Sequence, residues 1–201
     1  MFLDTYKTIE APAEGIYKAR GSKFLSFAYP VTSVEEVKTL VDEKRKEFYD
    51  ARHICYAYML GPKRTEFRSN DDGEPSSTAG RPILGQINSN QLTNILIIVV
   101  RYFGGILLGT SGLITAYKSA AAEAIASSNI IDCFIESIYM VTFGYEQMND
   151  VMRIIKEYDL KVLSQEQTLS CKLIFSVRQS LESQVYDRFS TLELVTIDKA
   201  E

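Results

Sequence analysis

The sequence has no tryptophan, one histidine and three cysteines, and these scarcities already narrow the chemistry open to it. With His53 alone, a multi-histidine metal site is excluded, and any Ser-His or Cys-His mechanism would have to run through that one residue. Cys55, Cys133 and Cys171 are scattered, odd in number and never paired as C-x-x-C, so neither a disulfide framework nor a zinc cluster is suggested and a reducing compartment is expected. Cys55 alternates with large apolar residues in HICYAYML, the pattern of a small buried hydrophobe rather than of a nucleophile. Long hydrophobic runs are also missing. The strongest, Ile95 to Val100, is closed by Asn94 and Arg101 and falls far short of the ~20 residues of a membrane helix. MFLDTYK carries an acid where a secretory signal carries positive charge, and no apolar core or cleavage site follows it, so a cytoplasmic protein without membrane association is expected.

What is present describes an ordinary globular chain of 201 residues, 46% hydrophobic and 24% charged. The formal charge of −4 is unevenly spread: residues 1–132 hold 15 basic and 15 acidic side chains, whereas 133–201 hold 7 and 11. Within 51–118 the balance is +3, which admits an anionic partner but is more often only a solvated face.

Periodicity predicts two α+β domains, 1–132 and 133–201. EGIYKARGSKFLSFAYPV reads as a hairpin turning at Arg20-Gly21-Ser22. Ser33 and Glu36 form a capping-box pattern ahead of an amphipathic helix over about 34–49. HICYAYML is a strand, 61–82 a long loop or a strand ending in one, and ILGQINSNQ a short helix. NILIIVV is a buried central strand, followed by a glycine-rich loop and the alanine-rich helix LITAYKSAAAEAIAS. After residue 135 the order strand, helix, two strands, helix, strand is βαββαβ, that of a ferredoxin-like unit with helices on one face.

Two stretches could carry function. RSNDDGEPSSTAGRP brings Asp71, Asp72 and Glu74 together with Arg68, Arg81 and the hydroxyls of Ser76 and Thr78, around a turn at Gly73. Such carboxylates could divide into acid and base or hold Mg²⁺, which makes Asp72 and Glu74 the catalytic candidates, but no known metal loop is matched and the same residues could merely build turns and a helix cap. RYFGGILLGTSG places Gly104, Gly105 and Gly109 between a buried strand and a helix, where bare amides could meet an anion; neither standard nucleotide motif is satisfied, and close helix packing would explain the glycines as well. Arg52-His53 and Arg101-Tyr102 sit at strand ends, able to contact phosphate or stack on a base, or simply to form salt bridges and pack. Nothing calls for a cofactor.

NDDGEPSSTAGRPIL at 70–84, VVRYFGGILLGTSGLITAY at 99–117, ARHICYAY and RGSKFLSFAYPV together resemble the YigZ/IMPACT family over essentially the whole chain. Ser77 stands where that family usually has glycine. The resemblance implies a bacterial YigZ-type protein, with an IMPACT-type amino-terminal domain similar to a ribosomal-protein domain and to the fourth domain of elongation factor G, its sheet carrying helices on one face. The carboxy-terminal domain would resemble that factor's fifth. Eukaryotic IMPACT restrains a stress-activated kinase of translation initiation by competing for its activator, through proteins that carry an extra binding domain. Three readings therefore stay open: contact with RNA or the ribosome through Arg52, Arg68, Arg81, Arg101 and the glycine loop; a docking face for a protein partner; and a small enzyme on a phosphorylated or nucleotide substrate using Asp72 or Glu74.

Overall fold

The structure is a computed structural model that describes residues 4–200. The fold is α+β and falls into two units, Tyr6–Cys133 and a second comprising the residues up to Thr5 together with those from Phe134 onward.

The first unit is built on a five-stranded antiparallel sheet, β2 (Ala13–Ala19), β3 (Ser22–Pro30), β4 (His53–Leu60), β5 (Glu66–Asn70) and β6 (Ile95–Tyr102), in the order β2-β3-β6-β4-β5. β6 is central because its residues are apolar on both faces, with Ile95 through Arg101 all buried. Three helices follow from local signals: α1 (Val34–Glu47), α2 (Gly80–Ser89) and α3 (Gly109–Ala126). α1 starts where Ser33 accepts from the Glu36 amide at 3.2 Å and Glu36 in turn accepts from the Thr32 amide at 2.7 Å. β1 (Thr5–Ile9) and β7 (Ile130–Phe134) form a separate two-stranded pair that the periodicity does not anticipate.

One expectation is corrected. α2 and α3 cover one face of the sheet, packing Ile83, Ile87, Leu113, Tyr117 and the alanines of α3 on Phe24, Cys55, Ile97 and Val99. α1 lies on the other face, where Val37 and Val41 meet Phe27, Ile54, Leu96, Ile98 and Val100. Helices on one face alone would have left the second apolar row of β3, β4 and β6 in water, at a cost of about 25 cal/mol per Å² of apolar surface.

The second unit contains β8 (Glu136–Phe143), α4 (Met148–Glu157), β9 (Lys161–Gln167), β10 (Cys171–Arg178), α5 (Glu182–Ser190) and β11 (Thr196–Lys199), in antiparallel order β11-β8-β10-β9. The βαββαβ succession matches the sequence reading, and both helices pack on one face through Val151, Ile154, Ile155, Val185 and Phe189. Asp4 anchors this unit's start by accepting from Ser180 at 2.5 Å and pairing with Arg178, whose guanidinium lies 3.5 Å from the Phe134 ring centroid. These bonds, Ser180 first and Arg178 next, hold the Asp4 carboxyl down at about 2.

Candidate functional site

Antiparallel pairing brings four chain segments to one end of the first unit's sheet: the close of β6, the openings of β3 and β4, and the exit from β5. His53 opposes Arg101, and Phe24 opposes Arg101 from the other side. The two stretches singled out in the sequence therefore meet in space, but they meet mainly each other.

Glu74 and Arg101 form a buried pair, 8% and 7% exposed, with Arg101 Nη1 donating to Glu74 Oε1 at 2.6 Å. The phenol of Tyr117, on α3, donates to the same oxygen at 2.8 Å, and the Cys55 thiol lies 3.4 Å from that phenol. Arg101 lies over two aromatic rings, Phe24 at 5.6 Å and Phe103 at 5.7 Å, and its Nε is buried without a hydrogen-bond partner. Burial pushes both the Tyr117 phenol and the Cys55 thiol far above their usual ranges, which keeps both protonated as donors. Arg101 is thus not a surface contact for phosphate, and Glu74 is not a free acid.

The other acids are committed in the same way. Asp71 accepts from the amides of Ser77 at 2.8 Å, Ala79 at 3.0 Å and Gly80 at 2.8 Å, so the amino terminus of α2 is capped by the protein's own carboxylate. Asp72, with φ of +40°, accepts from the Ile54 amide and from Arg45, both at 2.7 Å, and its carbonyl lies 2.9 Å from His53 Nδ1. Gly73 follows with φ of +82°, close under the His53 ring. Thr78 is buried and donates to the Pro75 carbonyl, whereas Ser76 is exposed.

The exposed members lie around this knot. Arg52, with Arg45, Tyr49, Asp72 and Gly73, lines an open hollow of about 480 Å³ at the end of α1. Arg68 sits on the edge strand β5 opposite Tyr58, and Arg81 is exposed in the first turn of α2, so neither joins the hollow. Tyr102 donates to Asp50 at 2.7 Å, and that bond first, with burial second, raises its phenol to about 12. Gly104 is pressed on the β2–β3 turn: its amide donates to Ser22 Oγ at 3.2 Å, and a Cβ there would stand 1.8 Å from the Gly21 carbonyl carbon. Gly105 and Gly109 have φ of +85° and +71°, and between them Ile106 and Leu107 project into solvent, Leu107 at 81% exposure. The last four residues of the expected glycine loop, Gly109 to Gly112, are in fact the first turn of α3, which begins with no side-chain cap.

Sequence reasoning missed Tyr117 and Arg45, whose partners are 43 and 27 positions away in the chain. The signal available for Asp71 was its position ahead of a Gly-x-Pro helix start. Among the described residues no helix is long and apolar enough to cross a membrane.

The Impact N-terminal domain model matches residues 20–125. The IMPACT family member YigZ of Escherichia coli (strain K12) is 32% identical over 158 residues, 78% of this chain and 78% of that protein. The IMPACT family member YvyE of Bacillus subtilis (strain 168) is 30% identical over 155 residues, 77% of this chain and 71% of that protein. A crystal structure of a hypothetical protein superposes over 100% of this chain and 99% of its own, with a TM-score of 0.75 and 26% identity.

Proposed function

The chain belongs to the IMPACT family, and from that premise we propose that it takes part in the regulation of translation as a binding protein, its amino-terminal unit contacting RNA, free or within the ribosome. One observation supports this above the others. The three carboxylates of the 71–74 loop are spent on the protein's own amides, arginines and tyrosine, while Arg52, Arg68 and Arg81 stand at the surface with no ion pair among the described residues. The outward charge of this region is therefore more positive than its composition indicates. The same commitments leave Glu74 and Asp72 poorly placed to serve as acid, base or metal ligand, which weighs against the enzymatic reading.

Co-sedimentation with purified ribosomes at low salt tests the proposal. Replacing Arg52, Arg68 and Arg81 together by glutamine should lower the bound fraction at least about tenfold, each lost phosphate contact weakening binding independently of sequence. Binding that is unchanged in the triple variant would count against it.

A second reading, docking onto a protein, is favoured by the exposed apolar tip of Phe103, Ile106 and Leu107, which RNA phosphates do not require. It predicts that one protein partner survives nuclease treatment and is lost on Ile106→Ser with Leu107→Ser. Loss of every partner on nuclease treatment would remove this reading.

A further inference from the structure

We propose that the tip of the β2–β3 hairpin is a phosphate-contacting element for single-stranded RNA, with Lys18, Arg20 and Lys23 as the contacting groups. The inference rests on the RNA reading above and names a surface that neither glycine nor acidic motif marks.

Two departures from local stability coincide at this hairpin. Its two-residue turn is Arg20-Gly21, with φ of +46° and +79°, a double left-handed turn of the kind that favours Asn-Gly or Gly-Gly. An arginine carries a Cβ into a conformation that disfavours it, in a position where asparagine or glycine would serve the fold better. Directly behind the turn, Lys18 opposes Lys23 across the ladder, so two lysine side chains leave the sheet on the same face. Like charges directly opposite each other destabilise an antiparallel pair. Lys18, Arg20 and Lys23 are all exposed, and none has an ion pair among the described residues. Sequences set aside local rules mainly where function needs them, and here both departures add positive charge to the same hairpin tip.

The tip is also held still. Ser22 is fully buried and accepts from the Gly104 amide, while Gly21 lies against Gly104 so closely that no side chain fits between them. Lys23 is registered opposite Tyr102 on β6, and Arg52 immediately precedes His53, the partner of Arg101 in the next ladder. Cations and an aromatic ring thus alternate across three neighbouring strands, the arrangement suited to a phosphate backbone with an occasional stacked base. Asp50, bonded to the Tyr102 hydroxyl, is the acid of this row.

The test is fluorescence anisotropy of labelled oligouridine of about 20 nucleotides, titrated with wild type, Lys18→Gln/Lys23→Gln and Arg20→Gly across a salt series. The double variant should bind about tenfold more weakly at low salt, with a log–log salt slope shallower by about 1.4, the value for two contacts to a single strand. Both variants should melt no lower than wild type, because one removes a repulsion and the other a left-handed arginine. Arg20→Gly therefore keeps the outcome readable should the lysine variant fold poorly. Hairpin variants that bind with wild-type affinity and slope, beside a wild type that binds RNA, would overturn the hairpin and leave the RNA reading standing. A wild type that fails to bind at low salt would remove both, and polyglutamate bound as tightly as oligouridine would overturn the hairpin as an RNA element in favour of an acidic protein partner.

Discussion

Replacing Glu74 by glutamine separates a structural carboxylate from a catalytic one. The side chain keeps its shape and an oxygen able to accept from Tyr117, but its charge is gone and the Arg101 guanidinium, 7% exposed and with its Nε already unpartnered, is left without a counterion. Removing one member of a buried ion pair costs about 3–5 kcal/mol, and the retained hydrogen bonds place this variant toward the lower end, near 3 kcal/mol. That is a large share of the ~5–15 kcal/mol that holds a typical domain together. Urea unfolding followed by far-ultraviolet circular dichroism reads the loss. A companion variant, Glu74→Leu with Arg101→Leu, removes both charges and should be less destabilised than the sum of its single changes, since paired apolar groups no longer need solvating. A Glu74→Gln protein as stable as wild type, or a double variant that merely adds the two single losses, would refute the buried-pair argument and reopen a catalytic role for this residue.

Asp71→Ala should cost about 2 kcal/mol by uncapping α2, since three amides lose their acceptor at once, and thermal unfolding would show it; a loss within a few tenths would mean that water replaces the carboxylate. Gly104→Ala should destabilise by about 1–3 kcal/mol, because its Cβ cannot coexist with Gly21 unless the β2–β3 turn moves; an unperturbed melting curve would contradict that close approach. Asp4 is held at about 2 against an ordinary 3.8, so it stabilises the second unit above pH 3.8 and loses that contribution as the pH falls through 2. The melting temperatures of wild type and Asp4→Asn should therefore differ at neutral pH and converge across that window; a constant gap would deny the linkage.

How far the sequence carries the reader depends on whether a feature is local. The capping residues of α1, the β2–β3 hairpin and the βαββαβ order after residue 135 are set by nearby positions, and the structure realises them. Helices on both faces of the first sheet were not read from the sequence, where one face was expected, although the unbroken apolar runs of HICYAYML and NILIIVV carry the signal, since a strand with one wet face would alternate. The pairing of β1 with β7 was not, because its register is fixed by chain folding over more than a hundred residues. The site shows the same division. Composition brought the 68–82 and 101–112 stretches forward, and they meet at Glu74 and Arg101, but a list of charged residues does not say which are neutralised by one another. Asp71, Glu74 and Arg101 turn inward onto amides, Tyr117 and each other, while Lys18 and Lys23 acquire meaning only through the strand register that sets them side by side.

The salt dependence of binding to a ribosomal RNA fragment is the most direct test of the function proposed here. If outward-facing lysines and arginines of the amino-terminal unit hold the phosphate backbone, the logarithm of the association constant falls linearly with the logarithm of salt concentration, with a slope of about −0.9 per duplex contact or −0.7 per single-strand contact. A flat line, or no binding at the lowest salt, would contradict the account.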